Sequence, residues 1–114
     1  MNNEPLFSYI LDSFPYRIVF VDTDHIIRYM NKEARHHYYE VRGYDNLIGK
    51  SIFECHNDKS KERIIAAVET LKNHGNEISI GLSAKNERMY FNPVRNEKGQ
   101  LLGYFERFEM NLVK

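Results

Sequence analysis

Cys55 and His56 stand side by side just ahead of a strongly helical stretch, and a thiolate or imidazole at that place could ligate a haem iron. The simpler reading is that His56 and Asn57 cap the helix start while Cys55 packs as a small hydrophobe. A redox-sensing thiol, its pKa lowered by the positive helix end, is a third. His36 and His37 are also adjacent, but neighbours on a helix diverge by about 100° and chelate one ion poorly. No His-x-x-x-His spacing is present, so a zinc site is not expected. Tyr29, Tyr38, Tyr39, Tyr44, Tyr90 and Tyr104 could offer hydroxyls to an enclosed ligand; the plainer alternative is core packing, each hydroxyl bonded to backbone or water. Glu106 and Arg107 interrupt an apolar last strand and must point to opposite faces. One of them turned into a pocket would orient a ligand, whereas a solvated or cross-strand partner is the commoner use. Lys59, Lys61, Glu62 and Arg63 read as a solvated helical turn rather than a nucleic-acid footprint. No glycine-rich phosphate loop, nucleophile elbow or acid/base dyad at fixed spacing is found, which argues against an enzyme.

The elements that must position these residues follow from periodicity. Residues 5 to 14 place Leu6, Ile10 and Phe14, with Phe7 and Leu11, on one helical face between Pro5 and Pro15. Residues 16 to 22 form a strand that is apolar on both sides, and an acidic turn, Asp22 to His25, leads into a second strand at 26 to 30, giving a hairpin. Asn31 is a good N-cap for a helix carrying Ala34, His37, Tyr38 and Val41 on one face, which Gly43 ends. After an irregular stretch, 44 to 56, a helix runs from about Asp58 to His74, roughly 24 Å long. Ile64, Ala67, Val68 and Leu71 form its stripe, widened by Ile65. The last third changes to strands: Ile78, Ile80 and Leu82 alternate with small residues, 88 to 94 follow, and 101 to 110 complete a meander after a turn at Gly99. Pro93 lacks a donor and belongs at a bulge, an edge or an unpaired position. The class is α+β, helices packed on an antiparallel sheet. The middle helices should cover one face of the sheet; the N-terminal helix or a second subunit should cover the other.

Composition bounds the function. The 114 residues are 42% hydrophobic and 13% aromatic, enough for one core and too rich for disorder. Sixteen basic and sixteen acidic residues balance, so no basic field points to direct nucleic-acid or anionic-membrane binding. A single cysteine excludes an internal disulfide and a cysteine-rich zinc module. The longest apolar run, Ile64 to Val68, is too short to span a membrane, and the start Met-Asn-Asn-Glu-Pro lacks a secretory pattern. A cytoplasmic location is expected.

Taken in order, Asp22-Thr23-Asp24-His25-Ile26-Ile27-Arg28-Tyr29-Met30-Asn31, then Leu47-Ile48-Gly49-Lys50-Ser51-Ile52-Phe53, then Asn92-Pro93-Val94-Arg95-Asn96-Glu97-Lys98-Gly99 through Gly103, the chain resembles a PAS domain over about residues 8 to 110. The stretch Glu54 to Ser60 is similar to a bacterial PAS subfamily carrying Cys-His-Pro-Pro-Lys-Ser, with Asn57-Asp58 in place of Pro-Pro. The resemblance implies a five-stranded antiparallel sheet of order 2-1-5-4-3, helices on one face, a flanking helix at about 5 to 14 and a core at about 16 to 110, all one domain over 1 to 114. It also implies a bacterial sensory role in signal transduction or transcriptional regulation, a homodimer, and an effector domain or signalling protein as partner. A small ligand would lie between helices and sheet, with Phe20, Tyr29, Tyr38, Ile52, Cys55, His56, Ile64, Val68 and Tyr90 as pocket candidates. Haem held by His56 or Cys55 is the alternative, and a purely structural interaction domain with a filled core is the third. The Asn-Cys-Arg-Phe-Leu-Gln-like signature of light-sensing relatives is missing around Cys55, so flavin photochemistry is not expected. Two departures stand out: His25 occupies a place where the family commonly has glycine, and residues 109 to 114 lack the usual Asp-Ile-Thr-like exit.

Overall fold

The computed structural model describes residues 3–55, 58–73, 75, 77–83 and 86–110. Its elements are α1 (Asn3–Asp12), β1 (Val19–Asp22), β2 (Ile27–Met30), α2 (Lys32–Arg35) running into a π-helical turn (His36–Val41), a 3₁₀ turn (Ile52–Cys55), α3 (Asp58–Asn73), β3 (Ile78–Leu82), β4 (Glu87–Arg95) and β5 (Leu101–Met110). The five strands form one antiparallel sheet in the order β2-β1-β5-β4-β3, as the resemblance implied.

Strand β1 begins three residues later than its β-rich composition suggests. The Ile18 N–H is taken by the side chain of Asn31, while the Ile18 carbonyl accepts the Asn31 N–H. Asn31 is fully buried. Its Oδ1 also accepts the Ala34 N–H at 3.0 Å, the expected cap, and its Nδ2 donates to the carbonyls of Leu11 and Tyr16. One amide thus joins the end of α1, the approach to β1 and the start of α2, with all its bonding capacity used. The hairpin turn is held by Asp22, whose Oδ1 accepts the N–H groups of Asp24 and Ile26 while its Oδ2 receives Arg28. Burial pushes the Asp22 carboxyl up, but the Arg28 bond and these backbone donors outweigh it, leaving the pKa below the usual range. His25 occupies a left-handed backbone position, φ 65°, where glycine carries no steric cost.

The helix expected after Asn31 changes character at His36. The Arg42 N–H bonds the His37 carbonyl, five residues back, and this wider turn rotates Val41 outward, leaving it 64% exposed instead of on the face of Ala34 and Tyr38. Helix α3 buries Ile64, Ala67, Val68 and Leu71 in the core, with Ile65 on its exposed side. Arg95 donates to the Leu71 carbonyl near the helix end and Arg63 to the Ile80 carbonyl, fastening α3 to β4 and β3. A bulge between Ser79 and Gly81 breaks the alternation of β3 and leaves Leu82 exposed. Pro93 pairs with Tyr104 of β5 but lies past the last β3 pairing at Phe91, where β4 is locally an edge. Among the described residues no helix is long and apolar enough to cross a membrane.

Candidate functional site

Strand alternation sorts the sheet into two faces. On the face beneath the helices lie Val19 and Val21 of β1, Ile27 and Met30 of β2, Phe91 of β4, and Tyr104 and Glu106 of β5, which together floor a cavity. Its roof is Tyr38 from the π turn, Leu47 from the following loop and Ile52 from the 3₁₀ turn. The volume open to a water-sized sphere is about 20 Å³, room for roughly one water. A larger occupant requires the roof to move.

The floor is apolar except at β5. Tyr104 is 1% exposed, stacks on Phe91 at 4.9 Å between ring centroids, and its hydroxyl is buried without a hydrogen-bond partner among the described residues. Burial, together with the charges of Glu106 and Asp22, pushes its pKa up, so the phenol stays protonated. Glu106, two residues on and on the same face, also lines the cavity. Burial raises its carboxyl to about 7, against the attraction of Arg17. Arg17 is itself shared: its guanidinium lies 4.1 Å from the Phe108 ring centroid and 3.8 Å from the Glu87 carboxylate. The arrangement provides a largely apolar chamber whose lining includes one acidic side chain, Glu106, and two tyrosines, Tyr38 and Tyr104.

The opposite face is different. Phe20 pairs with Tyr29 and Phe105 across the strands, and Tyr90 lies beneath the Arg107 guanidinium at 4.3 Å. Arg107 donates twice to Glu77 and once to Glu109, and Arg88 pairs with Glu109 at 3.2 Å. The two Glu77 bonds, offset in part by burial, and the Glu109 bond raise the pKa of Arg107 further, while the Arg107 bond, against partial burial, lowers that of Glu109.

Of the pocket candidates, Tyr38 and Ile52 line the cavity. Ile64 and Val68 belong to the same core from α3 without forming its wall. Phe20, Tyr29 and Tyr90 sit on the other side of the sheet, because strand alternation turns their chain neighbours Val19, Val21, Met30 and Phe91 inward. Cys55 closes the 3₁₀ turn, but its side chain and His56 lie outside the described residues, and so does the haem ligation suggested for them. Tyr39 takes the structural role allowed for it: its hydroxyl accepts the Leu47 N–H and donates to Asn46. His36 pairs with Glu40 one turn on. Leu47 was missed, since a lone apolar residue in an irregular loop carries no periodic signal, and Phe91 and Met30 were read only as strand residues.

A family model described as a PAS domain matches residues 7–109. No curated protein matches the chain. Among solved structures it is similar to a C-terminal domain from Streptococcus mutans, with a TM-score of 0.72 and 22% identity over 91% of this chain and 81% of that one. It is similar to the PAS domain of a Colwellia psychrerythraea protein at TM-score 0.69 and 18% identity, covering 99% and 100%. A sensory box sensor histidine kinase from Vibrio cholerae gives 0.66 and 18%, covering 98% and 94%. At these identities the likeness is one of fold.

Proposed function

The chain belongs to the PAS domain family, and on that premise we propose that it is a signal-sensing module, one domain acting in bacterial signal transduction or transcriptional regulation through a homodimer and a signalling partner rather than through catalysis. The observation that carries the sensing role is the Tyr104 hydroxyl, buried without a hydrogen-bond partner among the described residues, on a side chain that lines an apolar cavity together with Glu106. Buried polar groups of this kind are normally satisfied, and a ligand or water supplies what the protein does not. A ligand would act by its different affinity for two arrangements of the roof. The sheet is fixed by its ladders, whereas Tyr38 and Ile52 ride on a π turn and a 3₁₀ turn, elements short enough to shift.

Native mass spectrometry of the purified chain tests this. A reproducible small-molecule adduct, lost on denaturation, supports the sensing role. A bare polypeptide mass together with no thermal shift across a metabolite panel favours the second reading, an interaction domain with a filled core. The small closed volume is the observation in that reading's favour.

A further inference from the structure

The geometry points to a small organic cation as the occupant of the cavity: an apolar body of a few carbons carrying a primary ammonium, directed at the Glu106 carboxylate and the Tyr104 hydroxyl. The inference rests on the cavity being a ligand site, as proposed above, and adds the ligand's chemical class. Three observations lead to it.

The first is the charge count. The Arg17 guanidinium lies 3.8 Å from the Glu87 carboxylate and reaches Glu106 only through its field. Arg17 stands outside the cavity lining and lies close to Glu87 and the Phe108 ring, so once Glu106 ionises, as pH rises through about 7, its negative charge faces the chamber. Its cost in an apolar site is relieved by a cation with N–H donors and aggravated by an anion.

The second is the hydrogen-bond inventory. An ionised carboxylate accepts only, and a tyrosine oxygen can accept while its proton turns to the carboxylate or to water. Both groups project from one face of β5, two residues apart, so a single ammonium with three donors can serve both. The third is the rest of the lining: apart from Tyr38 it is apolar, with Val21, Ile27, Leu47 and Ile52 offering hydrocarbon to the rest of the molecule. The closed volume accepts the head group, and the carbon chain enters as the Tyr38 and Ile52 side of the chamber gives way.

Affinities of n-butylammonium, 1-butanol and butyrate, measured by methyl-detected NMR at pH 8, test the class. The wild type should bind butylammonium about tenfold more tightly than 1-butanol, as expected for one buried charge-assisted contact, and butyrate not at all. Glu106→Gln should bind butylammonium and 1-butanol alike. Glu109→Gln, which removes a carboxylate on the other sheet face, should keep the tenfold preference. If 1-butanol binds as well as butylammonium, or the preference survives Glu106→Gln, the cation inference is overturned while the ligand cavity stands. If none of the three binds, both fall together.

Discussion

The Oδ1 of Asn31 accepts the backbone N–H of Ile18 at 2.9 Å, across thirteen residues of sequence. With the Ala34, Leu11 and Tyr16 bonds this makes one buried amide the joint between the flanking helix and the sheet. Asn31→Ala should therefore cost about 3 kcal/mol or more, since buried donors and acceptors lose their partner at once. Asn31→Asp keeps the acceptor but turns an oxygen toward two carbonyls. It should be destabilised too, and more at pH 7 than at pH 4, where a protonated acid can donate. Urea denaturation at the two pH values reads the difference; an aspartate variant as stable as wild type at pH 7 would contradict the role.

Gly103 is held by a different constraint. A Cβ there would lie 2.2 Å from the Val21 carbonyl oxygen and 2.9 Å from the Asp22 Cα. Both are backbone atoms in the β1–β5 ladder and cannot swing away. Gly103→Ala should lose about 3 kcal/mol by forcing the strands apart, seen as a lower urea midpoint, whereas Gly99→Ala, with nothing within 4 Å of its Cβ position, should lose less.

Stability should depend on pH through Glu106. Its folded-state pKa, about 7, exceeds the ordinary 4.5, so the native state holds this proton more tightly than the unfolded chain does. The resulting stability is complete below about pH 4.5 and is lost as pH rises through 7. Glu106→Gln should flatten this decline and be the more stable protein at pH 8, by on the order of 2 kcal/mol. Equal denaturation midpoints for variant and wild type at pH 5 and pH 8 would refute the assignment.

Among the described residues, helix α1 is fastened near its end, where the Leu11 carbonyl accepts Asn31 Nδ2 and Asp12 accepts the Lys32 N–H at 2.8 Å and pairs with Arg35. Its apolar face stays open, with Phe7 58% and Ile10 55% exposed. A second copy is the expected cover, because an unpartnered apolar stripe on a helix favours association. Sedimentation should show a wild-type dimer that Ile10→Asp converts to monomer; a wild type that is monomeric at every concentration tried removes the dimer.

The long helix, the meander and the Asn31 cap were legible in the sequence because each rests on a local pattern: the Ile64, Ala67, Val68, Leu71 stripe, the alternation through β5, the capping side chain. What was not legible depends on longer-range choices. A 3.6-residue period cannot foresee the π turn that swings Val41 outward. In β1 both alternating sets are apolar, so composition could not say whether Val19 and Val21 or Phe20 would face the helices; the ladder with β5 decides it, and with it the places of Tyr29 and Tyr90. The opposition of Glu106 and Arg107 was readable, but which of them turned inward was not.

The claim on which the account stands is that the chamber between sheet and roof opens to a small molecule. Methyl chemical shifts followed during titration with 1-butanol test it most directly, since the walls carry the reporters Val21, Ile27, Leu47 and Ile52. Saturable shifts concentrated at these four, with Ile10 and Ile48 on the surface unmoved, are predicted. Shifts confined to the surface methyls, or none at all, would contradict it.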